Sequence, residues 1–248
     1  MMRKYAIRMG LVVALVALGA AGWAAAQDFQ RTYAISAGGH IRIGNISGDV
    51  KVTGYDGDSI IVNAYKSGPD RDRVQIEDTS GSDRLELRVR YPEFGGANAS
   101  INFEVKAPRS VDYNFDRLGS VSGSVTVTGI RGRLRAESVS GNVDIRDVAG
   151  LVSAQAVSGN VNVEIARLEG AGDMKFSSVS GNVSVRAPAN LDAAIEMSTI
   201  SGSLRTDFPI EVQERRYGPG RSARGRLGTG AYSLRITTVS GRVSLTRS

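Results

Sequence analysis

In the second half of the chain the apolar positions recur on a nine-residue ruler set by glycine: Gly123, Gly132, Gly141, Gly150 and Gly159. Counted from each glycine, the second, fourth and seventh residues are Val125, Val127 and Ile130; Leu134, Ala136 and Val139; Val143, Ile145 and Val148; Val152, Ala154 and Val157; and Val161, Val163 and Ala166. None is charged, and offsets two and four alternate with the period of a half-buried strand. Val-Ser-Gly returns at every second unit, at Gly123, Gly141 and Gly159, so the repeat is eighteen residues long. That length fits two short strands and two turns, one rung of a solenoid stacked about 4.8 Å from the next. The pattern predicts offsets two and four pointing inward, offset seven tucked into the corners, and positive φ at the corner glycines, where a Cβ costs energy. Each buried Val or Ile contributes about 1.5–3 kcal/mol, enough to fix the register.

The ruler continues through insertions. Gly172 follows Gly159 by thirteen residues, so four extra residues bulge at one corner before Gly181, Val183 and Val185 resume the pattern. Ile195, Met197 and Ile200 precede Gly202, and the last rung reads Leu234, Ile236, Val239, Gly241, Val243 and Leu245. Gly39 and Gly48 carry the same signature, which starts the solenoid near residue 39. Residues 66–107 change to longer alternating runs, wider rungs or a side sheet of the same domain. The predicted fold is an all-β, single-stranded solenoid over residues 27–248. Residues 27–107 hold the N-terminal rungs and the longer-strand insertion, and residues 108–248 the regular repeat. Open solenoid ends expose strand edges, and the charged tail 246–248 is expected to blunt one.

The first 26 residues change the picture of where this solenoid works. Arg3, Lys4 and Arg8 precede an apolar run, and Ala24, Ala25 and Ala26 end it ahead of Gln27. This is the layout of a cleaved secretory signal peptide, and the apolar run is shorter than the roughly 20 residues a membrane span needs. The expected location is the periplasm, the cell surface or the exterior. Removing the leader, with three basic residues and no acidic one, lowers the formal charge from +6 to +3. That mild bias argues against a dedicated polyanion binder, nucleic acid included, and leaves local basic patches and a weak contact with an anionic surface open. The chain has no cysteine, hence no disulfide, no thiolate chemistry and no lipidated cysteine.

Candidate chemistry is sparse. Ser140, Ser158, Ser180, Ser201 and Ser240 repeat with the turns, as do Asn142, Asn160 and Asn182, so their expected role is bonding backbone at successive corners. A serine nucleophile needs a base, and His40 is the only histidine. The outward offsets give the columns Thr126, Asp144, Asn162, Ser184 and Thr128, Arg146, Glu164, Arg186, without the paired carboxylates of a β-helix hydrolase or the acidic ladder of a calcium solenoid. No metal, cofactor or catalytic residue is expected. The best local binding candidate is a loop with Arg215, Arg216, Tyr217, Arg221, Arg224 and Arg226, whose guanidinium groups suit phosphates, acidic glycans or an acidic protein patch.

The corners Ser120-Val121-Ser122-Gly123, Ser138-Val139-Ser140-Gly141, Ala156-Val157-Ser158-Gly159, Ser178-Val179-Ser180-Gly181 and Thr238-Val239-Ser240-Gly241, with Phe208-Pro209-Ile210 and Gly228-Thr229-Gly230, resemble the bacterial exported β-solenoid domain catalogued as a putative adhesin, a domain of unknown function. The resemblance covers residues 35–248 and implies an envelope or surface protein. The function expected is a non-enzymatic, adhesin-like binding or scaffold module whose partner is an envelope protein or glycan. A carbohydrate-active β-helix enzyme and a structural protein that self-associates end to end are the alternatives.

Overall fold

The computed structural model describes residues 28–170, 172–214 and 220–248; the predicted leader lies outside them. The described chain is all-β, twenty-one strands with a single 3-10 turn at Arg71–Arg73. Strands alternate between two ladders. On face I, Arg131–Ser140, Val152–Ser158 and Asp173–Ser180 pair in parallel; on face II, Val143–Ala149, Val161–Arg167 and Val183–Ala187 do the same. Leu134 opposes Val152 and Val143 opposes Val161, the eighteen-residue step, whereas Ala154 opposes Phe176 and Val161 opposes Val183. The four extra residues therefore loop out between Val161–Arg167 and Asp173–Ser180.

Side chains at offsets two and four fill the space between the faces. Val125, Val127, Leu134, Ala136, Val143, Ile145, Val152, Ala154, Val161 and Val163 are all buried. The core is aliphatic with a few aromatics, Phe103, Tyr113, Phe115 and Phe176, of which Tyr113 and Phe115 meet edge to face at 6.1 Å. Offset seven splits in two. Ile130 and Val148, at one corner, are buried as expected, but Val139 and Val157, at the other, stand 46% and 44% exposed, and Ala166 is exposed because a register shift puts Ile165 inside instead. At the Val-Ser-Gly corner the preceding residue already points inward, so strand alternation turns the valine out.

The rungs do not stack in chain order. The strand pair His40–Ser47 and Val50–Tyr55 lies inside the pair Arg84–Arg90 and Ser100–Pro108, so the solenoid begins in space with residues 84–108 and not near residue 39. At the other end, Tyr232–Ser240 and Val243–Arg247 slide between Asp173–Ser180 with Val183–Ala187 on one side and Ala193–Ser201 with Leu204–Thr206 on the other. The chain's last strand is thus interior and its tail blunts no edge; Arg247 instead stacks over the Phe208 ring at 5.3 Å. Three of the four edges finish in antiparallel strands, Gln75–Asp78 and Phe29–Tyr33 at one end and Arg221–Arg226 followed by Val212–Glu214 on face I at the other, while face II finishes there in the parallel strand Leu204–Thr206. A clasp joins the two faces across the first end. Asp78 accepts from Arg31 Nη1 at 2.6 Å and from the Tyr33 hydroxyl at 2.8 Å.

Two side-chain ladders explain the Ser-Val-Ser-Gly-Asn corner. The first residue of the motif is buried and bonds the glycine carbonyl of the preceding rung: Ser120 to Gly48 O (2.8 Å), Ser138 to Gly123 O (2.8 Å), Ser178 to Gly159 O (2.8 Å), Thr238 to Gly181 O (2.9 Å) and Thr199 to Gly241 O (3.1 Å). Asn45 starts this series on Ile101 O, and Arg221 ends it on Gly202 O. After the glycine, a second ladder runs outside: Asp49 Oδ1 accepts from Ser124 N, Asn142 Oδ1 from Asn160 N, Asn160 Oδ1 from Asn182 N and Asn182 Oδ1 from Arg242 N, at 2.8–2.9 Å. Buried backbone groups that the turns leave over are satisfied in this way. The predicted serines Ser140, Ser158, Ser180, Ser201 and Ser240 have exposed side chains; the bonding hydroxyls sit two residues earlier, except before Ser158, where Ala156 has none.

The corner glycines also differ from expectation. Gly132, Gly150 and Gly241 have positive φ, but Gly123, Gly141, Gly159, Gly181 and Gly202 do not. What holds these as glycine is contact, since a Cβ on any of them would overlap the glycine carbonyl of the adjoining rung.

Candidate functional site

Face I carries a band of charged side chains on the outside. Counted from Gly132 in place of Gly123, the alternation points Arg42, Arg117, Arg135, Lys175, Arg235 and Arg224 outward in neighbouring registers. Four acidic side chains sit among them, each shared by two cationic or basic groups. Glu86 meets Arg84 (3.6 Å) and Arg88 (2.6 Å); Asp116 meets His40 (2.9 Å) and Arg42 (3.4 Å). Glu137 meets Arg117 (3.2 Å) and Arg135 (2.6 Å); Glu196 meets Arg224 (2.8 Å) and Arg235 (2.7 Å). The hydrogen bond from Arg224, with the nearby Arg235 charge, holds the Glu196 carboxyl below its usual range against the opposing effect of burial. One carboxylate between two guanidiniums leaves a positive remainder at three of the four clusters.

Between the Glu86 and Glu137 clusters the face opens into a trough of about 760 Å³. Its floor is Gly44 beside Gly119, paired across neighbouring strands. Neither glycine has positive φ, and a Cβ would meet nothing within 4 Å at Gly44 and only ordinary contacts at Gly119. Glycine inside a strand weakens it, so two where the fold would accept side chains mark a place kept open to close approach. Arg88 and Glu86 form one wall and Arg117, Glu137 and Arg135 the other; Ile46, Val121 and Val139 close one end with exposed aliphatic surface.

The predicted arginine loop resolves differently. Arg215, Arg216 and Tyr217 lie outside the described residues. Arg221, Arg224 and Arg226 belong to a strand, antiparallel to Ala193–Ser201, and not to a solvated loop. Arg221 caps the glycine-carbonyl ladder and Arg224 binds Glu196, so these arginines extend the basic face from its far end. His40 is half exposed beside Asp116. The face II columns stack as read, with Asn162 donating to Asp144 at 2.8 Å and Arg186 3.7 Å from Glu164. Among the described residues no group of three or more His, Asp or Glu side chains could hold a metal ion.

Sequence reading missed the trough, although its signals were present: the outward arginines follow the same count, and Gly44 and Gly119 fall off the glycine ruler. It also missed Asp192, whose carboxylate takes the Thr229 hydroxyl (2.8 Å) and the Gly230 (2.6 Å) and Ala231 (3.2 Å) amides. Those hydrogen bonds, Thr229 first, hold its carboxyl below the usual range and fix the Gly228-Thr229-Gly230 turn.

Solved structures to which the chain is similar include a "putative cell adhesion protein" from Clostridium sporogenes, 10% identical, covering 89% of this chain and 99% of that one with a TM-score of 0.40. A "putative adhesin" from Bacteroides fragilis is 14% identical, covering 89% and 96% with a TM-score of 0.32. A "putative lipid binding protein" from Parabacteroides distasonis is 13% identical over the same shares with a TM-score of 0.31. No curated protein matches the sequence. The Toastrack DUF4097 family profile matches residues 109–246, the regular rungs with their Ser-Val-Ser-Gly corners and the inserted last rung, and the chain therefore belongs to this family of domains of unknown function.

Proposed function

We propose that this protein is an exported, non-enzymatic, adhesin-like binding module of the cell envelope, and that it binds an anionic envelope glycan in the face I trough. The observation that supports this reading is the pairing of the open Gly44 position in the trough floor with carboxylates each shared by two cations. Guanidinium groups left partly unneutralised receive carboxylate or phosphate oxygens in a bidentate fork, while the remaining lone pairs of the Glu86 and Glu137 carboxylates accept from sugar hydroxyls. Gly44 and Gly119 let a sugar ring reach the sheet, and Val121 offers its apolar face a partner.

The test is calorimetric titration of residues 27–248 with galacturonic acid oligomers, glycerol-phosphate oligomers and neutral dextran oligomers of equal length, at low and high salt. Binding to an acidic oligomer that weakens with salt and drops at least tenfold in Gly44→Val supports the proposal, and the two acidic probes separate carboxylate from phosphate. Equal affinity for dextran, or undiminished affinity in Gly44→Val, overturns it. The variant folds because its Cβ enters open space and valine favours strands.

A further inference from the structure

The Ser-Val-Ser-Gly-Asn corner gives three of its five members an internal task and leaves the aliphatic residue and the second serine facing out. The first residue bonds a carbonyl, the glycine permits rung contact and the last residue bonds an amide. The aliphatic member faces solvent in seven successive rungs, in spatial order Ile46, Val121, Val139, Val157, Val179, Val239 and Ile200, each between 40% and 49% exposed. Beside this row runs the serine row, and beyond the glycines the column Asp49, Ser124, Asn142, Asn160, Asn182, Arg242 and Ser203. In all three columns Asp49 and Arg242 are the only charged residues; both are exposed, of opposite sign, and five rungs apart. Neither side chain has a carboxylate or cation as its hydrogen-bond partner: Asp49 takes the Ser124 amide, and Arg242 Nε donates to the Ser203 hydroxyl at 3.3 Å.

A strip with this layout is complementary to itself. A two-fold axis perpendicular to the solenoid, passing between Val139 and Val157, sets two copies antiparallel, aliphatic row on aliphatic row. It lays Asp49 of each copy against Arg242 of the other, Ile46 against Val239, Val121 against Val179, and Asn142 against Asn160. We propose that the protein forms an isologous dimer along this corner strip, with a second copy of the chain as its partner. Six rungs of small aliphatic, serine and asparagine side chains bury about 500 Å² per copy, the size of a weak, reversible interface and not of an obligate one. The buried centre is uncharged and the two ion pairs lie at its rim, where they choose register and orientation. This arrangement differs from end-to-end stacking, since both ends of face I finish in antiparallel strands.

The experiment is sedimentation equilibrium of residues 27–248, which hold every described strand, from about 1 to 300 µM at moderate salt. A reversible dimer is expected. Val139→Thr with Val157→Thr keeps β-branched shape and weakens it at least tenfold. Asp49→Lys and Arg242→Glu each set like charges together and weaken self-association at least fivefold. An equimolar mixture of these two variants restores the dimer, because both rim pairs re-form only between unlike copies. Asp49→Asn, which keeps the ladder acceptor used by the asparagine rungs, controls for folding and weakens the dimer less. A monomer throughout the concentration range overturns the proposal, as does a dimer indifferent to the valine pair or a mixture no stronger than its components. Loss of thermal stability in the valine variants with no dimer in the parent assigns the row to rung stacking alone and also overturns it.

Discussion

The inner corner ladder has one gap, and filling it gives a measurable gain. Ser120, Ser138, Ser178, Thr238 and Thr199 each put a hydroxyl on the glycine carbonyl of the adjoining rung at 2.8–3.1 Å, but the equivalent position facing Gly141 is Ala156. Ala156 is 5% exposed, against 4% for Ser138 and Ser178, so the pocket around it is built like theirs. Ala156→Ser adds one hydroxyl with an acceptor already placed. A neutral internal hydrogen bond contributes about 0.5–1.5 kcal/mol net, after the cost of drying the hydroxyl. For a chain of this size, about 1 kcal/mol raises Tm by roughly 2–4 °C. The reverse change, Ser138→Ala or Ser178→Ala, costs about 1–3 kcal/mol because a buried carbonyl loses its donor. Urea unfolding of the three variants, with m-values compared to confirm a common transition, measures both signs. If Ala156→Ser is neutral or destabilising while the serine-to-alanine changes cost nothing, the ladder contributes no stability and the account of the motif fails.

Three further outcomes follow from the packing. Val143→Asp puts a carboxylate in a fully buried column and should cost more than about 4 kcal/mol, whereas Asp144→Val, one residue on and facing out, should stay within about 0.5 kcal/mol; thermal melts of both check the inward and outward assignment. Gly159→Ala should cost at least about 2 kcal/mol, since its Cβ overlaps the Gly141 carbonyl, while Gly44→Ala should be neutral or stabilising, a contrast that chemical denaturation can read. Burial acts to raise the Asp78 carboxyl, but hydrogen bonds from Ser80, Tyr33 and Arg31 together hold it below its usual range. The clasp is therefore at full strength above the unfolded value of about 3.9 and is lost as pH falls through the lower folded value. Melting curves of the parent and Asp78→Asn should differ most near pH 6 and converge near pH 2; a constant gap would refute the linkage.

What the sequence discloses here is whatever one rung decides by itself. Alternation fixes Val125, Val143 and Val161 in one inward column, and the spacing from Gly159 to Gly172 locates the four-residue bulge. The stacking order was hidden because every rung offers its neighbours the same pairing edge. Nothing local to Leu234 or Ile236 distinguishes an end position from an interior one. Offset seven misled because the nine-residue unit treats two different corners as equal. Only the eighteen-residue period separates Ile130 and Val148, followed by Arg131 and Ala149, from Val139 and Val157, each followed by serine and glycine. The trough escaped notice for another reason: glycine in a glycine-rich repeat reads as a turn, and Gly44 and Gly119 acquire meaning only when seen side by side in mid-strand.

The inserted rung makes residues 232–247 an internal part. Asp173–Ser180 and Ala193–Ser201 never pair with each other; each pairs with Tyr232–Ser240, the penultimate strand of the chain. During synthesis, the segment from Ala193 onward has no seat on the growing stack until some forty residues later are available. A message cut short anywhere before Tyr232 yields two raw strand edges in place of one finished wall, a state open to pairing with other chains. The fold thus keeps its own check on translation: only a product that reaches residues 232–247 can shut.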